Sequence, residues 1–395
     1  MKHLFVTQDY GPDLGGMARR HVELCRRFSD QENTMAVSTV ANRGSEVFDA
    51  REPCEIHRQS FSFRDAKRFT NQIRWSRWLN RYCRNRVGVI HCGNIRPVGY
   101  AVQGTHRRLG IPYLVYVNGG DLLRELKKVK ASRLKRAGAA RILGQASGIV
   151  ATSRWVGELT GEVMAAAGIK EMPPVVALDL GTDPAVFNPS RNSGKLRARW
   201  RVGDAPLIVT VARLVPHKGQ DVGIRALSAL RSEFPELRYV IVGEGEAEGG
   251  LRDLARELAV SDRVIFAGAM RDDELPEAYA TSSVYLGASR VDKGINAEGF
   301  GISFLEASAS GLPVVAGDSG GVRSAVRDGE TGVVVPPTDV EAMTNALGRY
   351  LRDESLRRLT GAAGRKAVER HYNWDRVARD TREFTRSVVK PPVAE

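Results

Sequence analysis

Short apolar runs of strand length recur along the whole chain, with helical segments filling the gaps between them. In the first half they read "LFVTQDY", "GVIHCG", "PYLVYVNGG" and "SGIVATS". In the second half they read "PLIVTVARL", "LRYVIVGEG", "RVIFAGAM", "SVYLGAS", "LPVVAGDSG" and "TGVVVPP". Short apolar strands alternating with helices imply parallel sheets covered on both faces. The Pro-, Gly- and Asp-rich segment "PVVALDLGTDPAVFNPS" interrupts the series, which then restarts. The expectation is an α/β protein of two doubly wound Rossmann-like domains, 1–183 and 184–373. A last helical segment, 374–395, has no strand after it. A length of 395 residues suits two domains, because single cores stop growing at about 250–300 residues.

In such sheets ligands bind at the carboxyl ends of the strands. After "PLIVTVA" comes "RLVPHKG", which sets Arg213 and Lys218 on a turn just before a helix. A fork-shaped guanidinium and an ammonium converging on one place suit a diphosphate; the alternative is a solvated basic turn. After the first strand, "GPDLGG" puts Gly15 and Gly16 at a helix entrance, where free N–H groups attract anions. In "EGFGISFLEASASGLPVVAGDSGG", Glu298 and Glu306 flank an apolar run that looks bound for the interior. A helix starting near Gly299–Gly301 places Glu298 at its positive end and Glu306 about two turns on, about 80° round. Each carboxylate can accept two hydroxyl hydrogen bonds, as a sugar diol offers them. The alternative is a helix-end charge plus an ordinary surface glutamate. Asn118–Asp121, Met270 and Ser289–Arg290 also follow apolar runs.

Several chemistries find no support. The chain has no G-x4-GK[ST] loop, no G-x-G-x-x-G after the first strand, no Asp-x-Asp clamp and no HExxH. The expectation is no cofactor and no metal. The four cysteines, Cys25, Cys54, Cys83 and Cys92, form no CxxC pair and suit free thiols in a reducing cytosol. The first strand turns polar at Gln8, early for a signal peptide.

Together these pieces resemble the retaining glycosyltransferases of the GT-B fold, family four or "group 1". The residues are "EGFGISFLE" with "ASGLPVVAGDSGG", "VARLVPHKGQD", the Gly-Gly loop after the first strand, and "LDLGTDPAVFNP" where relatives have a hinge. Within the family, "SRVDKGINAEGFG" looks most like bacterial phosphatidylinositol mannosyltransferase-like members. The resemblance implies two domains facing a central cleft, and a final helix crossing back to the first. It implies a nucleotide diphosphate sugar as donor, whose diphosphate Arg213 and Lys218 bind and stabilise as it leaves. Glu298 would bond hydroxyls of the transferred sugar, and Glu306 those of the ribose. Backbone around Gly15, Gly16, Gly299, Phe300, Gly301 and Ile302 would contact phosphate or sugar, and Met270 would border the base. The first domain would take the acceptor and the second the donor. Where many relatives carry His-Gly near the sugar, this chain has Asn118, with Asp121 close behind. An amide can bond a hydroxyl but is neither acid nor base near neutral pH.

The first 183 residues hold 29 Lys/Arg and 17 Asp/Glu, so almost the whole net charge of +13 lies there. Aromatics at 61, 63, 69, 75, 78 and 82 interleave with Arg and Lys, and "RELKKVKASRLKRAG" adds a second basic stretch. One reading is a segment resting on an anionic membrane; the other is a core-facing stripe with a solvated basic back. No nucleic-acid module is present. The expectation is therefore a cytoplasmic enzyme, peripheral at the inner face of the membrane. It would move a hexose, mannose by the closer resemblance, to a lipid-linked or saccharide acceptor in cell-envelope synthesis. Alternatives are the same chemistry with UDP-glucose or UDP-GlcNAc and a soluble acceptor, or a non-catalytic nucleotide-sugar-binding protein.

Overall fold

The computed structural model describes residues 1–12, 15–61, 68–292 and 294–389, except the side chains of residues 68 and 69. The chain divides into two compact units. Unit 1 is Met1–Leu178 with Trp374–Glu395, and unit 2 is Asp179–Asn373.

Unit 1 is built on seven strands: β1 (Lys2–Val6), β2 (Thr34–Val40), β3 (Glu55–Gln59), β4 (Val89–Cys92), β5 (Tyr113–Val117), β6 (Gly148–Ala151) and β7 (Val175–Ala177). Their order is β3-β2-β1-β4-β5-β6-β7, and every pairing is parallel. Unit 2 has six: β8 (Leu207–Val211), β9 (Arg238–Val242), β10 (Val264–Gly268), β11 (Val284–Gly287), β12 (Val314–Gly317) and β13 (Gly332–Val335). Their order is β10-β9-β8-β11-β12-β13, again all parallel. In both sheets the order reverses beside the first strand, between β1 and β4 and between β8 and β11. Neighbouring loops diverge there and leave a crevice at the carboxyl ends.

The central strands are apolar because helices cover both faces. Leu4, Ile90, Val115 and Ile149 are buried in unit 1, and Ile208, Ile241, Leu286 and Val315 in unit 2. Each such side chain contributes about 1.5–3 kcal/mol relative to exposure. The covering helices carry their own end signals. Ser153 caps Arg154–Ala167 by accepting from Val156 N at 3.2 Å, and that helix stops at Gly168 in the left-handed conformation, φ 78°.

The helix Trp374–Val388 returns to unit 1, as the resemblance implied. Arg382 donates to the carbonyls of Arg27 (2.9 Å) and Phe28 (3.0 Å), which end the helix Gly16–Phe28, and pairs with Asp30 at 3.0 Å. Phe384 lies over Gly148, where a Cβ would come within 2.9 Å of its ring. Only glycine lets that helix sit so close to β6.

Unit 1 also buries a directed chain of hydrogen bonds. Asn33 turns its amide nitrogen to Asp30 (3.0 Å), so its Oδ1 accepts from His3 Nε2 (3.1 Å). His3 Nδ1 must then accept from His91 Nε2 (3.0 Å), and His91 Nδ1 from the Tyr116 hydroxyl (2.8 Å). Both imidazoles are neutral. Burial pushes His3 down to about 4 and His91 well below its ordinary value.

The aromatic stripe belongs to the core. On the helix Arg68–Cys83, Trp75, Leu79 and Tyr82 are buried, and Trp75 Nε1 donates to Ser38 Oγ at 2.9 Å. Trp78 stacks on Tyr82 with ring centres 4.8 Å apart, and Phe61 packs on Trp75. Aromatic spacing by i+3 and i+4 is what a core-facing helix requires, so these rings are not a lipid-facing surface. Phe63 and the Phe69 side chain lie outside the described residues. The basic residues do face outward: Arg74, Arg77, Arg81 and Arg84 are exposed, as are Lys127, Lys128, Lys130, Arg133, Lys135 and Arg136. No helix among the described residues is long and apolar enough to cross a membrane.

Candidate functional site

In unit 2 the turn after β8 and the loop after β11 meet where the strand order reverses. Pro216–Lys218 is one 3-10 turn, and the helix Gln220–Leu230 begins just after Gly219. Gly219 has φ 72°, and a Cβ there would stand 2.0 Å from the carbonyl oxygen of Ala288. That contact presses the basic turn against the end of β11. Arg290 extends the clasp, its N–H donating to His217 O (2.8 Å) and its guanidinium pairing with Asp221 at 3.0 Å. Gly219→Ala is expected to cost about 2–4 kcal/mol, from left-handed strain and overlap with backbone. A urea midpoint equal to that of the wild type would contradict the clasp.

Lys218 Nζ is bonded to Glu298 Oε2 at 2.6 Å, and Ser289 Oγ donates to the same oxygen at 3.3 Å. Both partners of the ion pair are largely buried, with side-chain exposures of 19% and 15%. Burial alone raises the Glu298 carboxyl. The Lys218 charge and hydrogen bond, helped by Ser289, outweigh it and hold the group below the usual carboxylate value. Glu298 is therefore ionised at neutral pH, with Oε1 left to accept. His217 feels Lys218, Glu298 and Arg213 together, and burial with the two cations holds it neutral. Arg213 is exposed and makes no ion pair among the described residues.

The helix Ile302–Ala309 follows, and no side chain caps its N-terminus. Its first turn keeps open N–H groups beside Glu298. Gly301 precedes it with φ 98°, where a Cβ would strike the Phe304 ring and come within 3.5 Å of Glu298 Cγ. Gly321 N donates to Glu298 O at 2.8 Å, so the "GDSGG" loop closes over the same segment.

Glu306 is 6% exposed, which rules out the surface reading. The Tyr279 hydroxyl donates to its Oε2 at 2.7 Å. Tyr285, buried on β11, senses both Glu298 and Glu306; burial first and then these charges raise its hydroxyl pKa, while the hydroxyl donates to Ser303. His217 thus lies within electrostatic reach of Arg213, Lys218 and Glu298, and Tyr285 within reach of both Glu298 and Glu306. Phe300 turns its side chain inward, 6.4 Å from the Tyr372 ring. Met270, half-buried, stands at the end of the edge strand β10, two strands from β8.

The remaining candidates lie in unit 1. Gly15 and Gly16 start the helix Gly16–Phe28 with open space where a Cβ would stand. At the β1/β4 reversal, Asn94 donates to Asp9 (2.7 Å) and accepts from Thr7 Oγ1 (3.0 Å) and Gln8 N (3.1 Å). Asn118 stands between β5 and the helix Gly119–Ala131, and Asp121, one turn in, pairs with Arg124 at 2.6 Å. Arg20, 2% exposed, reaches Asn118 from below, and burial pushes its guanidinium down to about 10. Among the described residues, no group of three or more His, Cys, Asp or Glu side chains is placed to hold a metal ion.

Two family models match this chain. "Glycosyl transferases group 1" covers residues 193–367, and "Glycosyltransferase Family 4" covers residues 14–180. The chain carries a group 1 glycosyltransferase domain behind a family 4 one. The group 1 match holds every residue of the Lys218–Glu298 cluster and Glu306; the family 4 match holds Gly15, Gly16, Asn118 and Asp121. A GDP-mannose-dependent alpha-(1-6)-phosphatidylinositol monomannoside mannosyltransferase of Mycobacterium tuberculosis is 39% identical over 223 residues, 56% of each chain. A D-inositol 3-phosphate glycosyltransferase of Acidothermus cellulolyticus is 33% identical over 287 residues, 68% of this chain and 60% of that one. The matched region thus spans little more than half the length of these curated relatives. Among solved structures, Anabaena HepE in complex with UDP and glucose superposes with a TM-score of 0.77 at 19% identity, over 98% of this chain and 100% of that one. The fold is GT-B.

Sequence reading placed Ser289 and His217 in post-strand segments but gave neither a role in the cluster. Their signals were present: Ser289 follows the β11 run directly, and His217 adjoins Lys218 in "PHKG". Arg20 gave no signal, because a basic residue in a helix full of arginines reads as solvated.

Proposed function

We propose that the protein transfers a hexose from a nucleotide diphosphate sugar to a hydroxyl of a lipid-linked or saccharide acceptor, with retention at the anomeric carbon. The Lys218–Glu298 pair at the β8/β11 reversal carries this reading. A diphosphate set beside Lys218 and Arg213 would find two cations and the open N–H groups of Gly301 and Ile302. Glu298 Oε1 would accept from a hydroxyl of the transferred sugar, and Glu306 from the ribose. As the glycosidic bond breaks, charge grows on the departing nucleoside diphosphate, and fixed cations and helix dipoles stabilise that charge more than the ground state. The leaving phosphate takes the acceptor proton as the new bond forms on the same face. We assign this role to side-chain cations and propose no metal.

Mannose carried by GDP is the donor we favour, supported by similarity to relatives named as GDP-mannose-dependent. Those names also specify a phosphatidylinositol acceptor, which fits the exposed basic residues of unit 1 if the acceptor lies in an anionic membrane face. Thermal shift across a set of nucleotide sugars tests the reading. GDP-mannose at about 100 times its Kd should add about 2.7 kcal/mol to stability and raise Tm by several degrees. A flat response to every nucleotide sugar would sink the proposal. Binding without turnover of labelled donor would leave a non-catalytic binder in its place.

A further inference from the structure

Arg20 stands out among the charged groups of unit 1, because it is buried with no carboxylate beside it among the described residues. Its Nη1 donates to Val117 O (3.3 Å) and Asn118 Oδ1 (3.4 Å), and its Nη2 to Val150 O (3.2 Å). The guanidinium also lies over the Tyr116 ring, 4.9 Å from its centre. These contacts hold Arg20 under the carboxyl ends of β5 and β6. Burying a cation without a counter-charge is costly, and substitution of such a group by an apolar one is often neutral or stabilising. A position that keeps it calls for a reason other than stability.

The chemistry of the pair supplies one. A guanidinium only donates, so the atom of Asn118 that faces it must be Oδ1. The amide cannot turn over without setting N–H against N–H. Asn118 Nδ2 is consequently directed away from Arg20, and, buried, it has no hydrogen-bond partner among the described residues. The side chain at the end of β5 is left with its Nδ2–H donors unengaged, while Oδ1 already accepts from Arg20.

We infer that Arg20 is a positioning residue that locks the Asn118 amide so that a bound substrate meets Nδ2–H, and hence that the group it recognises is an acceptor oxygen of a sugar or phosphate. This rests on the reading of the protein as a nucleotide-sugar transferase. A substrate hydroxyl that met Oδ1 instead would have to donate and would share that oxygen with the Arg20 guanidinium.

The test compares Asn118→Asp, Asn118→Ala, Arg20→Met and the double variant Arg20→Met/Asn118→Ala. Tm, KM and kcat are measured with GDP-mannose and, if that is not turned over, with the nucleotide sugar that is. Asn118→Asp keeps the shape, places a carboxylate against the lone guanidinium and removes the donor. Its Tm should equal or exceed that of the wild type while kcat/KM falls at least tenfold. A merely structural asparagine would let activity follow stability. Arg20→Met should reduce kcat/KM by a factor similar to Asn118→Ala, and the double variant should lose no more than either single one. Wild-type kcat/KM in Asn118→Asp would overturn the inference, as would multiplicative losses in the double variant. A wild-type protein that turns over no nucleotide sugar overturns the parent reading instead. An active wild type with an equally active Asn118→Asp overturns the inference alone.

Discussion

Alanine at Lys218 is expected to lower kcat by about 10²–10³-fold, the usual loss when one fixed group facing a developing charge is removed. The same change strands the Glu298 carboxylate, which is largely buried and relies on that ammonium, so stability should fall by about 1–3 kcal/mol as well. The two losses can be separated. Adding Glu298→Gln to Lys218→Ala replaces the stranded charge by an amide and should bring Tm back toward the wild type. Turnover should stay low. If turnover recovers along with Tm in the double variant, Lys218 is a structural counter-ion and not a stabiliser of the leaving group.

Acidification is expected to unfold unit 1 unusually steeply. His3, His21 and His91 are all buried and neutral, burial holding His3 at about 4, His21 at about 3 and His91 well below its ordinary value. An unfolded histidine takes up its proton near 6.5. The sign follows: the folded state refuses protons that the unfolded chain accepts, so the stabilisation is complete above about pH 6.5 and drains away as pH falls toward the folded values. Each group then costs about 1.4 kcal/mol per pH unit. Between pH 7.5 and 5.5 the three together should remove about 4 kcal/mol. Urea midpoints at several pH values measure this, and His3→Gln should reduce the slope by one proton. A flat profile between pH 7.5 and 5.5 would show that the imidazoles find protons inside the fold.

The two sheets were legible because their central strands are buried on both faces and read as unbroken apolar runs. Four strands of unit 1 and all six of unit 2 announced themselves in this way. β2, "TMAVSTV", was missed because Ser38 and Thr39 sit inside it, and Ser38 is there to receive Trp75. β3, "EIHRQ", was missed because an edge strand is half-solvated and carries charge. β7 is a three-residue edge strand inside the Pro-rich segment that marked the change of unit. The basic turn and Glu298 were found because strand ends in such sheets are where ligands bind. What no spacing could reveal is that Lys218 and Glu298, 80 positions apart, touch. Nor could spacing reveal that an arginine in a basic helix points inward to an asparagine 98 residues away. Both depend on which strands lie side by side.

The return of the helix Trp374–Val388 to unit 1 has a consequence for biosynthesis. Unit 2 is one continuous stretch, and everything it needs has been translated before that helix is made. Unit 1 is interrupted, and its closing piece emerges only after unit 2. Until then the surface that receives Val377, Thr381 and Phe384 stays uncovered, and the carbonyls of Arg27 and Phe28 lack the guanidinium of Arg382. Folding order therefore runs against the order of synthesis: the part of unit 1 made before unit 2 must wait, half-finished and adhesive, for a helix made after it.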